Sequence, residues 1–138
     1  MKNIITVGLV VLILGICFYL YLENSKQTTF GDEIVSYKKS GINEDFPVPA
    51  NAESSKVQFD NPSIKKGEKY RLKNIGGEQG LYPPSDYFEE ITMWGWELLK
   101  EDQMGHANFF KKGKTIISIV IHENDFELYE MGEDFPLN

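Results

Sequence analysis

Residues 82–99 read YPPSDYFEEITMWGWELL, and this stretch carries the clearest helix signals in the chain. The two prolines stop any earlier element, because proline donates no backbone hydrogen bond and restricts the residue before it. Asp86 with Glu89 forms a capping-box pattern, and Ser85 offers an alternative cap one residue earlier. Gly95 stands where a residue in the left-handed conformation would end a helix. The stretch therefore predicts a short helix with a defined beginning and end.

The predicted helix covers residues 86–94 and has one apolar face. Tyr87, Phe88, Ile91 and Trp94 recur at helical spacing along it. A helix of this length is not stable alone in water, so its apolar face must be covered by other parts of the chain. We therefore expect it to pack on a β-sheet.

The flanking sequence predicts the strands of that sheet. Strand signals are period-two alternation and runs of β-branched or aromatic residues between turn residues. Two predicted strands precede the helix and four follow it: residues 55–59, a strand within 64–77 whose alternation covers 69–73, and residues 96–101, 106–111, 115–122 and 125–131. The order β-β-α-β-β-β-β predicts an α+β fold, a two-layer domain with one short helix on an antiparallel β-sheet.

The last three strands form a predicted meander. Lys112 and Gly113 suit a two-residue hairpin loop, and residues 123–125 form the next turn. The segment 115–122 is apolar on both faces, which is typical of a strand in the middle of a sheet.

The first residues, MKNIITVGLVVLILGICFYLYLENSK, predict a membrane anchor. Residues 4–22 contain no charge, and a helix of 19 residues spans roughly 28 Å, close to the hydrocarbon thickness of a bilayer. Bulky aromatics stand where a signal peptidase site would need small residues, which disfavours cleavage. Acylation of Cys17 is disfavoured because Ile16, not a small residue, precedes it. A retained transmembrane helix is the favoured interpretation, with cleavage and acylation as alternatives.

Orientation follows from the flanking charges. Lys2 and the amino terminus give the short side a positive excess, which predicts an N-terminus inside and a C-terminal domain outside. The predicted organisation is a cytoplasmic stub, a transmembrane helix in the lipid bilayer, a polar spacer, an extracytoplasmic α+β domain and a tail: residues 1–3, 4–22, 23–45, 46–131 and 132–138.

Composition limits the chemistry of the outer part. Cys17 is the only cysteine, so the outer part has neither a disulfide nor a cysteine metal ligand. Thirteen of the 14 basic residues and all 21 acidic residues lie beyond the anchor, which gives this part a net charge of −8. Such a balance argues against a nucleic-acid partner, which needs a broad positive surface.

Several short motifs resemble those of small uncharacterised bacterial single-pass envelope proteins. They are F-P-V-P-x-x-A from Phe46 to Ala52, the aromatic helix, Gly95-Trp96 and the strand meander, which together cover about residues 46–131. The resemblance implies a location in the cell envelope and supplies no catalytic residue.

No catalytic, cofactor or metal constellation is predicted. With residues 112–113 as the hairpin loop, His106 lies opposite Ile119 and His122 leaves the other face of the sheet, so the two histidines do not share a metal. HENDFE, at 122–127, lacks the glycine of a calcium loop. The acids at the start of the helix complement its dipole, and IGGEQG, at 75–80, is not a phosphate-binding loop.

One basic cluster is the candidate contact surface. Its members lie within the segment 64–77 of the second predicted strand, and three of them share a face by period two: Lys65, Lys66, Lys69, Arg71 and Lys73. An envelope protein or an anionic surface is the partner class that such a cluster suits. The alternative is an exposed edge strand whose lysines discourage pairing with other chains.

These observations favour a non-enzymatic, membrane-anchored binding or accessory module of the cell envelope. One alternative is a small envelope hydrolase that uses surface carboxylates; a second is a purely structural subunit of a membrane complex. The hydrolase would draw on four acids near the strand ends: Glu101, Asp102, Glu123 and Asp125.

Overall fold

The computed structural model describes the backbone of residues 2–25 and 36–137, and in the first range it describes the side chains of residues 8–20. The helices are α1 (Lys2–Ser25) and α2 (Ser85–Met93). The strands are β1 (Tyr37–Lys39), β2 (Pro47–Pro49), β3 (Glu53–Ser55), β4 (Ile64–Arg71), β5 (Glu97–Leu98), β6 (Ala107–Lys112), β7 (Thr115–Ile121) and β8 (Asp125–Met131). Two 3-10 turns, Glu78–Gly80 and Lys100–Asp102, precede α2 and β6.

Helix α1 coincides with the segment predicted to cross a membrane. Its described side chains, at residues 8–20, are all exposed. Across the part of the chain that the structure describes, no helix is both long and apolar enough to cross a membrane. The predicted segment 4–22 extends at both ends past those side chains, and most of the first half of the predicted spacer, residues 26–35, lies outside the described residues.

An antiparallel sheet of six strands forms the centre of the domain, in the order β3-β4-β8-β7-β6-β5. Strand β7 is an interior strand, as its two apolar faces predict. A second, two-stranded sheet pairs β1 with β2. The predicted α+β architecture with an antiparallel sheet is therefore confirmed.

Helix α2 and the β1–β2 hairpin cover one face of the large sheet and enclose the main core. Tyr87 of α2 is fully buried, and its hydroxyl donates a hydrogen bond of 2.8 Å to the carbonyl of Pro47. Trp96 donates from its indole nitrogen to the carbonyl of Asp45 at 2.8 Å. Both ring polar groups thus find partners where their rings are buried, as large aromatic residues in a core require.

The sequence predicts how each end of α2 is formed, and the structure confirms one of the two predictions. Gly95 has φ +93°, so the predicted left-handed glycine at the helix end is confirmed. The predicted capping box is wrong, because Pro84 occupies the cap position and no side chain caps the helix. Pro84 is extended, with φ −73° and ψ 94°, and its ring offers no acceptor, so the helix begins at Ser85 without a side-chain cap.

The packed domain begins earlier than the predicted boundary at Phe46. Tyr37 stacks on Tyr87 with ring centroids 5.8 Å apart, and Ile42 belongs to the main core. Part of the predicted spacer is therefore a strand of the domain. The polar composition of this segment hid the contact, because among its described residues, 36–45, two apolar side chains, Tyr37 and Ile42, contact the core.

The first predicted strand is displaced. Residues 55–59 were expected to form it, whereas β3 ends at Ser55 and the following residues cross the outer face of the sheet. Phe59 packs edge-on against Tyr129 with ring centroids 6.1 Å apart, and Gly67 of β4 leaves room for this segment. The alternation in this segment therefore reflects packing over the sheet rather than pairing within it.

The predicted tail is also part of the packed structure. The N–H of Gly132 donates to the carbonyl of Ser63 at 2.7 Å, and Phe135 stacks on Phe109 with ring centroids 5.3 Å apart. Phe135 and Phe109 form, with Ile116 and Met131, a second apolar cluster on the outer face of the sheet. The sheet therefore has apolar residues on both faces, and the chain end covers the smaller group.

The β6–β7 hairpin differs in register from the prediction. Lys112 pairs with Thr115, so the loop is Gly113-Lys114 rather than Lys112-Gly113. Gly113 has φ +60°, which suits the first position of a two-residue loop of the glycine-first type. The shift moves each pairing by two residues and leaves the faces of the strands unchanged.

We expect Phe135→Ala to lower the free energy of unfolding by about 1–2 kcal/mol, because Phe135 is half-buried against Phe109. Urea unfolding of the full chain measures this change. Pro136→Ala, at the exposed neighbouring position, is the control and should lie within about 0.5 kcal/mol of the wild type. Equal stability of the two variants would contradict a packed chain end.

Candidate functional site at the histidine end of the sheet

Three loops meet at the end of the sheet where β7 turns into β8. They are the turn 122–124, the glycine-rich segment 73–84 before α2, and residues 103–106 before β6. We call this region the histidine end, because both histidines of the chain lie in it.

The glycine-rich segment holds the β7–β8 turn through backbone contacts. The N–H of Leu72 donates to the carbonyl of Asn124 at 3.1 Å, and the N–H of Gly76 donates to the carbonyl of Glu123 at 3.3 Å. A Cβ on Gly76 would overlap the carbonyl oxygen of His122, and a Cβ on Gly80 would lie 3.1 Å from the backbone of the same residue. The glycines of IGGEQG thus allow two backbones to approach closely, a role that the sequence analysis did not assign to them.

The two histidine rings lie close together, which the prediction of opposite faces does not anticipate; the prediction that they share no metal stays a prediction. Their rings lie 6.4 Å apart, centroid to centroid, and are inclined by 28°. His106 precedes β6 and follows Gly105, which has φ +57°, so strand alternation does not govern its direction. Its Nδ1 lies 3.2 Å from the carbonyl oxygen of Gly80.

His122 joins two carboxylates in a group that has metal-ligand character. One ligand atom each from His122, Asp125 and Glu127 lies within 4.8 Å of the others. The backbone explains the grouping: the N–H of His122 donates to the carbonyl of Asp125 at 2.9 Å across the turn, and Glu127 lies two residues further along β8. The group lies within HENDFE, the segment that lacks the glycine of a calcium loop.

One lysine already lies beside both carboxylates and offsets part of their charge. Lys69 Nζ lies 3.3 Å from Asp125 Oδ1 and 3.7 Å from Glu127 Oε1. Asp125 Oδ1 is buried and has no hydrogen bond, so the lysine acts on it through charge rather than through an aligned N–H. A divalent cation held by these side chains would have to displace the ammonium. The arrangement is therefore an ion-pair network.

Tyr129 extends the network. Its hydroxyl donates to Glu127 Oε2 at 2.8 Å. Burial and the neighbouring Glu127 raise the pKa of Tyr129 to about 12. The phenol therefore stays neutral, and stays a donor, throughout the physiological pH range.

The structure divides the predicted basic cluster. Lys69 belongs to the ion-pair network, and Lys65 Nζ lies 3.8 Å from Glu130 Oε1. Lys66, Arg71 and Lys73 are exposed, and among the described residues no ion pair involves them.

The alternative interpretation of the basic cluster, an edge strand protected by lysines, fails for residues 69–71, which pair with β3, and stays a prediction for residues 64–68, which have no strand partner on that side in the described chain. Strand β4 lies between β3 and β8, and β3 is the edge. The short β3 pairs with residues 69–71 of β4, where two of the basic side chains lie.

A cavity of about 270 Å³ opens beside the histidines, on the α2 side of the sheet. It is lined by Gly80, Leu81, Pro83, Gln103, Gly105, His106, Asn108 and Ile121. Asn108 is only 6% exposed, and no hydrogen bond joins its side chain to another residue of the described chain. Sequence reasoning missed it, although an asparagine two residues before the buried Phe110 is a polar residue at a core position of a strand.

The four acids of the hydrolase alternative lie in two different turns. Glu101 and Asp102 are in the 3-10 turn before β6, and Glu123 and Asp125 are at the β7–β8 turn. Asp125 is grouped with Glu127 and Lys69 rather than with a second acid of the set. The hydrolase therefore stays a prediction, with this network as its only geometric support among the described residues.

We expect Lys69→Met to lower the free energy of unfolding by about 1 kcal/mol at low salt, because two partly buried carboxylates lose their counter-charge. The loss should shrink in about 1 M NaCl, where screening weakens their repulsion. Arg71→Met, on the same strand face without an ion pair in the described chain, is the control. A loss independent of salt would show that packing, not charge, is removed.

We expect Gly76→Ala to lower the free energy of unfolding by about 2–3 kcal/mol, because the added methyl overlaps the His122 carbonyl. Gly132→Ala is matched in chemistry, but its methyl would lie 3.5 Å from the Ser63 carbonyl, an ordinary contact. Chemical denaturation of both variants provides the measurement. If Gly76→Ala is as stable as Gly132→Ala, the loop does not hold the turn as described.

Comparisons with known proteins add no relative to this geometry. No protein family, no curated protein and no solved structure matches the chain. The resemblance to small bacterial envelope proteins therefore stays a prediction, and the function is inferred from the residues themselves.

Proposed function

We propose that the protein is a single-pass membrane protein of the bacterial cell envelope, whose outer α+β domain is a non-enzymatic binding or accessory module. The observation that carries the anchor is the exposed apolar surface of α1. Ten large hydrophobic side chains between residues 9 and 20 are each 50% to 64% exposed.

That surface surrounds the helix. Residues 9–14 are six consecutive exposed apolar positions, and at 100° per residue they face all directions. A helix that is apolar all round is normally buried, either inside a large protein or in a bilayer. By its sequence, which extends past the side chains that the structure describes, the uncharged segment 4–22 has the length that a bilayer requires, and a helix satisfies its own backbone hydrogen bonds there.

The binding role is supported by the histidine end. The cavity beside His106 and Asn108 has three polar side chains and no charged one in its lining. The neighbouring carboxylates are already paired with Lys69. Concave, partly apolar walls with a few uncommitted polar groups are typical of ligand sites.

Alkaline carbonate extraction tests the anchor. We expect the wild-type chain to stay in the membrane pellet and the Leu12→Arg, Ile13→Arg double variant to leave it, since each arginine near a bilayer centre costs about 2.5–3.5 kcal/mol. Met93→Arg with Met104→Arg, at exposed apolar positions of the domain, adds the same charge and should stay in the pellet. A wild-type chain in the wash, or a mature chain without residues 1–22, would refute the anchor.

Cysteine labelling tests the orientation with the same chain. Cys17 is the only cysteine, so Cys17→Ala with Ser54→Cys moves the single thiol to an exposed position on β3. A membrane-impermeant maleimide should label Ser54→Cys in intact cells and should leave the wild-type Cys17 unlabelled until detergent is added. Labelling of Ser54→Cys only after lysis would place the domain inside.

A further inference from the structure

We propose that the cavity at the histidine end binds a small, uncharged carboxamide with an apolar body, held by the side chains of Asn108 and His106. We rest this inference on the binding role proposed for the domain; it does not depend on the membrane anchor.

Asn108 is the first reason. As a residue it is 94% buried, since 6% is exposed, and no hydrogen bond joins its side chain to the described chain. Among the described residues, Asp125 Oδ1 is the fully buried side-chain polar atom without a partner, so the Asn108 amide is accessible from the cavity, and polar groups at such places normally bind water or a ligand. Asn108 lines the cavity, so the amide can only find its partners in what the cavity contains. It offers a carbonyl acceptor and two N–H donors.

His106 is the second reason. The Gly80 carbonyl can only accept, so the Nδ1 that faces it at 3.2 Å carries the proton of the neutral ring. Nε2 is then an acceptor. The cavity lining therefore combines an acceptor on His106 with an acceptor and donors on Asn108. A carboxamide, which has one carbonyl and N–H groups, is complementary to both.

The remaining lining sets the size and charge of the ligand. Leu81, Pro83 and Ile121 supply apolar walls, and the lining contains no lysine, arginine, aspartate or glutamate. A charged ligand would lose its hydration without gaining a counter-charge. The volume, about 270 Å³, lies just below the roughly 300–1,000 Å³ of pockets for drug-sized molecules. We therefore expect a ligand of the size of benzamide.

The test uses the full-length protein in lipid nanodiscs and observes the amide resonances of the domain by NMR. Benzamide should bind saturably, with a Kd on the order of 1 mM for so few atoms, and should shift the resonances of Asn108 and His106. Benzoate and benzylammonium, which have the same ring and carry a charge, should bind at least tenfold more weakly. Equal binding of the three probes would overturn the inference, as would shifts confined to other residues.

Two variants separate hydrogen bonding from cavity shape. Asn108→Leu keeps the branched shape and the number of heavy atoms and removes the amide, so benzamide affinity should fall at least tenfold, and continued binding of toluene shows that the larger leucine does not close the cavity. His106→Phe should weaken benzamide binding in the same direction. Asn51→Leu, at an exposed asparagine, is the control and should leave affinity unchanged.

The outcomes are distinguishable from those of the proposed function. Unchanged benzamide affinity in Asn108→Leu would overturn the site, even if the protein remains firmly in the membrane pellet. Conversely, a chain that washes off the membrane but binds benzamide through Asn108 would refute the anchor and support the site. Saturable binding by wild type and Asn51→Leu, lost in Asn108→Leu, is the expected result.

Discussion

The burial of Tyr87 is the constraint on which the rest of the domain depends. Its side chain is fully buried, its hydroxyl is fixed by the carbonyl of Pro47 at 2.8 Å, and its ring lies 5.6 Å from that of Phe126. One residue of α2 therefore touches both the β1–β2 hairpin and the central strand β8. Burial raises the pKa of the Tyr87 phenol well above its usual value, so the group stays a neutral donor under all ordinary conditions. A nine-residue helix has little stability of its own, and the contacts of Tyr87 supply tertiary packing that it needs.

Much of this arrangement can be predicted from sequence because its signals are local. The apolar face of α2, the glycine that ends it and the alternation of β8 each lie within one element, and the structure has them where the sequence predicts them. The segments that were misplaced contribute few side chains to the core. Ile42 enters from a polar stretch, and Phe135 covers the outer face from a chain end that resembles a tail. Sparse contacts of this kind leave no periodicity, so only the folded chain reveals them.

At the candidate site, less could be predicted from the sequence than in the fold. The sequence supplied the residue types, including both histidines and the acids of HENDFE, but their grouping depends on loops. His106 and His122 meet because each lies just outside a strand, where alternation no longer fixes direction. Asn108 was available as a signal, since it shares a strand face with the buried Phe110. Whether its amide has a hydrogen-bond partner in the chain depends on the packing around it, which the sequence does not show.

Charge distribution then separates the two halves of the histidine end. On the outer face, Lys69 offsets part of the negative charge of Asp125 and Glu127. On the α2 side, the cavity lining is uncharged, whereas the chain beyond residue 22 carries a net charge of −8. An anion approaching from solution meets repulsion over roughly the Debye length of 8–10 Å and finds no cation in the cavity to offset it. A cation is attracted by the surface but gains no carboxylate in the lining and must give up its hydration. A neutral molecule with a polar amide escapes both penalties, and for this reason the selectivity of the cavity rests on hydrogen bonds rather than on charge.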